Sequence, residues 1–162
     1  MPTRTSAGLL PVCVNANGEV MVLIAHIGGP LWARKDHRAW SIVKGEFDPG
    51  IETPRAAAAR EWVEETGLPV PVGEWFELGT VRQSGGKVVH AFALLVAAAF
   101  EVPDGAGNTV TMPWPPGSRR TITFPENDRA RWCTLPVART RLVAAQAALL
   151  DRLPSVLALD FQ

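Results

Sequence analysis

Gly45-Glu46-Phe47-Asp48-Pro49-Gly50-Ile51-Glu52, then seven residues, then Arg60-Glu61-Trp62-Val63-Glu64-Glu65-Thr66-Gly67-Leu68: this stretch of the 162-residue chain decides the fold. Thr53-Pro54 is a helix start, with Thr as the capping hydroxyl and Pro as the first helical residue, where its missing N–H costs nothing. Gly67 is the matching stop. On the helix between them, Glu61, Glu64 and Glu65 fall within an arc of roughly 100°. Ala59, Trp62, Val63 and Thr66 fall on another arc, the expected apolar face, and the small Ala57 and Ala58 flank the acidic one. Three like charges at i, i+3 and i+4 repel, and two stand near the helix C-terminus, the unfavourable end for the macrodipole. A solvated glutamate-rich face is the ordinary alternative. A bound divalent cation would reverse both penalties, and an all-oxygen donor set suits Mg²⁺, with Mn²⁺ the second choice, rather than zinc.

Working outward, residues 7–14 and 19–26 read as strands around an Asn15–Gly18 turn, with a short strand within 39–43. Residues 44–52 read as a loop. Residues 75–83 and 87–100 are strand candidates around Ser84-Gly85-Gly86, and 129–134 is a last strand. The Pro- and Gly-rich stretch 103–125 reads as a long surface loop, a kind of segment that is usually functional. Residues 136–153 are helical in pattern, as one piece or two. The expectation is one domain over residues 1–162, with a mixed sheet and helices packed on it.

Composition narrows the class of function. Hydrophobic residues make up 47% and charged residues 20%, with sixteen basic side chains against sixteen acidic. The zero net charge excludes a partner held by bulk charge, so neither a nucleic acid polymer nor an anionic membrane is expected. The sum hides a distribution. Residues 46–65 hold six acids against two bases, and 119–141 hold six arginines against Glu126 and Asp128. Cys13 and Cys133 cannot form a disulfide framework, and with no secretory signal visible the expected compartment is a reducing cytoplasm.

The helix and its flanks resemble the Nudix box, Gly-x5-Glu-x7-Arg-Glu-U-x-Glu-Glu-x-Gly-U, with U an apolar residue. From Glu52 to Leu68 the match is complete; before it, six residues rather than five separate Gly45 from Glu52. Stretches such as Trp40–Phe47 and Phe124–Arg129 are similar to a bacterial subgroup of predicted nucleotide pyrophosphohydrolases. The resemblance implies an α/β fold, the Nudix-type α/β/α sandwich with a mixed β-sheet. It also implies Mg²⁺-dependent hydrolysis of a phosphoanhydride in a nucleoside diphosphate linked to another moiety. By resemblance, Glu61, Glu64 and Glu65 bind metal, together with the backbone carbonyl near Gly45. Arg60 orients Glu61 and pairs with Glu52, and Gly67 closes the motif. Glu61 is one candidate base and Glu126, in the long loop, is another. Lys44, Arg34 and Lys35 precede the box as candidate phosphate contacts. Trp32 and Trp114 are either loop anchors or stacking platforms, and His26 and His90 read as structural. The rival reading is a Nudix-fold module that binds a nucleotide without turnover. A homodimer is the expected assembly by family habit.

Overall fold

The computed structural model describes residues 3–161; residues 1, 2 and 162, the ends of the expected domain, lie outside them. The apolar runs form a seven-stranded mixed sheet from β1 (Thr5–Val14), β2 (Val20–Ile27), β3 (Trp40–Ser41), β4 (Val43–Glu46), β5 (Glu74–Arg82), β6 (Val88–Leu95) and β9 (Asn127–Thr134). Its central path is β3-β2-β1-β6-β5, with β4 joined to β1 and β9 to β2. Among the described strands only β1 and β6 pair in parallel; the other strand pairs are antiparallel. Strand β1 is buried along nearly its whole length, as a central strand covered on both faces must be.

Two cores account for the layers. On one face, Ala57, Ala58 and Trp62 of α1 (Pro54–Thr66) pack against Leu9, Leu23, Val43 and Leu94. On the other, Leu149, Leu150 and Leu153 of α3 (Ala147–Val156) and Ala138 of α2 (Leu135–Arg141) cover Leu10, Val22, Ile24 and Val89. The result is the expected α/β/α sandwich. No helix among the described residues is long and apolar enough to cross a membrane.

Three expectations need correction. Residues 44–52 are not all loop, because Lys44, Gly45 and Glu46 continue β4 and pair with Gly8, Ala7 and Ser6 of β1. Residues 103–125 are not one long loop. They contain a two-stranded hairpin, β7 (Thr109–Pro113) and β8 (Thr121–Pro125), whose alternating exposure was masked by its prolines and glycines. The buried face of α1 is Ala57, Ala58, Glu61, Trp62, Glu65 and Thr66, while Val63 is exposed. The small alanines sit at the sheet contact itself, and they let the helix come close enough to bury two of its glutamates. The helical segment 136–153 is two α-helices, with a 3-10 turn at Ala144–Gln146 before the second.

Candidate metal and phosphate site

Local chemistry sets the helix ends. Thr53 Oγ1 accepts from the Ala56 N–H at 3.1 Å, and Gly67, at φ 71°, donates its N–H to the Val63 carbonyl. A side chain at that positive φ would be strained. The box's extra residue is absorbed in the turn before the helix. Asp48 accepts from Gly50 through its carboxylate and from Ile51 and Glu52 through its carbonyl. Ile51 points to solvent, 82% exposed. The longer turn still delivers Glu52 to Arg60, whose Nε donates to both Glu52 oxygens at 3.1 and 3.2 Å.

Arg60 is the hub. Its Nη1 reaches Glu61 at 2.8 Å and Glu64 at 3.1 Å, and its Nη2 donates to the Glu46 carbonyl. Four accepting residues, on β4, the turn after it and α1, fix the guanidinium and hold its pKa above the usual value, the Glu52 carboxylate contributing most.

A cleft of about 340 Å³ opens on this hub, walled by β4, α1 and the end of the β7–β8 hairpin. Glu61, Glu64, Glu65, Gly45, Lys44 and Glu126 all line it. Glu61 and Glu65 are each only 5% exposed, so a solvated acidic face is excluded. Burial raises the Glu61 pKa, against the pull of Arg60. Burial also raises that of Glu65, reinforced by a hydrogen bond with Glu126 and by the surrounding carboxylates. Asn127 donates to Glu65 at 3.0 Å. Gly45 is required by contact: a Cβ there would lie 2.0 Å from the Glu61 carboxyl carbon. The hairpin is tied to the same helix, since Asn108 donates its N–H to the Glu64 carbonyl and accepts from the Glu126 N–H. A Cβ on Gly107 would strike the Glu65 backbone at 2.1 Å.

Lys44 is half-buried on the cleft wall with no hydrogen-bond or ion-pair partner among the described residues. Burial lowers its pKa, Lys87 adds to that, and Glu126, Glu46 and Glu61 oppose it. Arg34 and Lys35 are not brought to the cleft; both are exposed, and the Lys35 ammonium lies over the Trp32 ring. Arg4 and Lys87 line it instead. The pairing of Thr5 with Val88 and of Ser6 with Glu46 delivers them, and no local sequence signal marks them. The arginines of 119–141 serve elsewhere. Arg131 pairs with Asp104 and Arg139 with Asp151, while Arg129 and Arg141 lie over the Trp40 ring. His26 is structural, its ring nitrogens meeting Asp128 and the Lys35 carbonyl.

A family model described as NUDIX domain matches residues 2–153. The chain belongs to the Nudix family. Among curated proteins no relative matches. Of solved structures, the Nudix chain is similar to a C. elegans Ap4A hydrolase in a binary complex, at 21% identity over 93% of this chain and 96% of that one, TM-score 0.63. It is also similar to the NUDIX domain of Shewanella oneidensis NrtR complexed with ADP ribose, at 14% identity over 96% and 88%, TM-score 0.62. A third is the Nudix hydrolase RenU from M. smegmatis, at 24% identity over 93% and 84%, TM-score 0.53. These likenesses are likenesses of fold.

The Nudix carboxylates fit a hard divalent cation in donor chemistry and in setting. They are buried oxygens that repel one another, beside a glycine whose missing Cβ leaves them room. As the side chains stand, Arg60 occupies one oxygen each of Glu61 and Glu64, and no group of three His, Cys, Asp or Glu among the described residues is arranged to hold an ion.

Proposed function

We propose that this Nudix enzyme, acting as one domain over residues 1–162, hydrolyses a phosphoanhydride in a nucleoside diphosphate linked to another moiety. The observation that carries the reading is the burial of Glu61 and Glu65 beside Glu64 and Gly45, in a cleft that also presents Lys44 and Lys87. Glu61, Glu64, Glu65 and the carbonyl near Gly45 would hold Mg²⁺, or Mn²⁺ in its place. The ion supplies charge neutralisation of a diphosphate and polarisation of a phosphoryl oxygen. Lys44, Lys87 and Arg4 meet the remaining phosphate charge. Arg60, locked by Glu52, fixes the aim of Glu61. Of the two candidate bases, Glu126 is exposed at the cleft mouth and can pass a proton from the attacking water to solvent, whereas Glu61 is enclosed. Catalysis rests on positioning and electrostatics, and the nucleophile is water. Two free, buried thiols agree with a cytoplasmic setting, and the assembly expected is a homodimer.

The non-catalytic alternative drew its support from the longer Gly45–Glu52 spacing, and the Glu52–Arg60 contacts remove that support. Titration calorimetry with Mn²⁺ and Mg²⁺ tests the metal assignment. Binding in the wild type, weakened at least tenfold in Glu64→Gln and Glu65→Gln, is expected. Absence of binding, or binding unchanged in both variants, refutes it.

A further inference from the structure

A second cavity, of about 170 Å³, adjoins the carboxylate cleft and shares Lys44 and Glu126 with it. Its floor is a buried amide network that the proposed hydrolysis does not use. Gln146, in the 3-10 turn before α3, is fully buried. Its Oε1 accepts from the Ile42 N–H at 2.8 Å, and a backbone N–H can only donate, so the orientation of this amide is fixed. Its Nε2 therefore donates, to Ser41 Oγ at 3.0 Å and to Gln83 Oε1 at 2.7 Å. Ser41 donates its own O–H to the Ile42 carbonyl. The chain of constraints ends at Gln83. Its oxygen is turned to Gln146, and its NH₂, with no partner among the described residues, is the end left for a ligand in the cavity that Gln83 lines. A glutamine with both ends free can read either an acceptor or a donor; the bond to Gln146 holds this one in the orientation that offers its donor.

Ile27, Ile42 and Val143 supply apolar wall, and Lys44 and Glu126 mark the side shared with the carboxylate cleft, where their phosphate and proton roles lie. We propose that this cavity is a base-reading subsite selecting a keto nucleobase over an amino one, with Gln83 as the reading residue and Gln146 as the residue that positions it. A base carbonyl would accept from the Gln83 NH₂. An exocyclic amine at the same place would turn its N–H groups toward the Gln83 NH₂ and leave both sets of donors unpaired, which a desolvated site penalises. The proposal rests on the hydrolase reading only for placing the phosphates in the adjoining cleft.

The test is binding without metal and without turnover, so its failure is separate from failure of the hydrolase reading. Guanosine and adenosine 5′-monophosphates are titrated against the wild type in chelator, followed by ligand-observed NMR. The expected result is a preference for the guanosine nucleotide of roughly tenfold, the size of one well-made base-edge contact. Gln83→Leu, at a half-buried site, should reduce the preference to near unity while retaining the wild-type melting temperature within a few degrees. Gln146→Glu offers Gln83 only acceptors. It should turn the Gln83 amide so that its oxygen faces the cavity, and so invert the preference toward the adenosine nucleotide. Equal affinities in the wild type, a preference for the adenosine nucleotide, or a preference that survives Gln83→Leu would each overturn the proposal. If Gln146→Glu does not fold, the wild type and Gln83→Leu still decide it.

Discussion

Substituting Gly45 by alanine places one methyl group where the site has no room. The new Cβ would sit 2.0 Å from the Glu61 carboxyl carbon and from Oε2, and 2.3 Å from Oε1. Ordinary contact needs about 3.5 Å, so something must move by roughly 1.5 Å. Helix α1 cannot retreat cheaply, because Ala57, Ala58 and Trp62 are fully buried against the sheet. Strand β4 is held by its ladder to β1. The least costly relief is rotation of the Glu61 side chain, which breaks its 2.8 Å contact with Arg60 and removes its carboxylate from the cleft. Overpacking of this kind costs about 1–3 kcal/mol. In a domain of this size that corresponds to a melting temperature lower by roughly 3–10 °C. Displacing a positioned group by about 1 Å costs on the order of 100-fold in rate. The assay is thermal melting with and without Mg²⁺ beside steady-state hydrolysis, with Gly50→Ala, in the exposed turn, as control. Gly45→Ala should lose stability, the Mg²⁺-induced rise in melting temperature, and activity, while the control keeps all three. A Gly45→Ala protein with full activity and an undiminished Mg²⁺ response would refute the reasoning about Glu61.

Other expectations follow from the same geometry. Glu52→Gln leaves a neutral partner for Arg60 and should lower stability by about 1–2 kcal/mol; a double-mutant cycle with Arg60→Lys should show coupling between the sites, and strict additivity would contradict it. Ile51→Ser should be neutral within about 0.5 kcal/mol in chemical denaturation, because the extra residue of the box lies in solvent. Cys133 is buried and its thiol is pushed up to about 11 from 9.0. A folded-state pKa above the unfolded one means this contribution to stability is complete below pH 9 and is lost as pH rises through about 11, so denaturant midpoints should fall over that window. Cys133→Ser should flatten the fall. Neither cysteine should react with a thiol reagent at pH 8 until the protein unfolds; fast native-state labelling would show that the burial is wrong.

The helix, its caps and its acids were legible because their signals are local: Thr53-Pro54, Gly67 and the spacing of Glu61, Glu64 and Glu65. The packing of helices on the sheet was legible for a similar reason, in the apolar runs of β1 and β2 and the leucines of α3. What the sequence hid was set by pairing between distant segments. Arg4 and Lys87 enter the cleft through the strand register of β1 with β4 and β6. The β7–β8 hairpin has strands of only five residues each, both ending in proline and flanked by glycine- and proline-rich turns, and the composition of the whole stretch reads as loop. The buried face of α1 was misplaced at Val63. Apolar character alone assigned that residue inward, whereas contact with the sheet selected the alanines, with Glu61 and Glu65 beside them. Gln146 carried no signal at all. A lone glutamine ahead of a leucine helix becomes informative only when Ile42, Ser41 and Gln83 surround it.

The central claim is that the buried carboxylates serve phosphoanhydride hydrolysis. Its most direct test is one panel of nucleoside triphosphates, dinucleoside polyphosphates, ADP-ribose and other nucleotide sugars, incubated with wild type and Glu65→Gln, with and without Mg²⁺, and read by product chromatography. The expected result is at least one compound cleaved to a nucleotide product by the wild type only when Mg²⁺ is present, with the rate lowered at least 100-fold in Glu65→Gln. Cleavage of no compound by the folded wild type, or cleavage indifferent to both Mg²⁺ and Glu65→Gln, would contradict it.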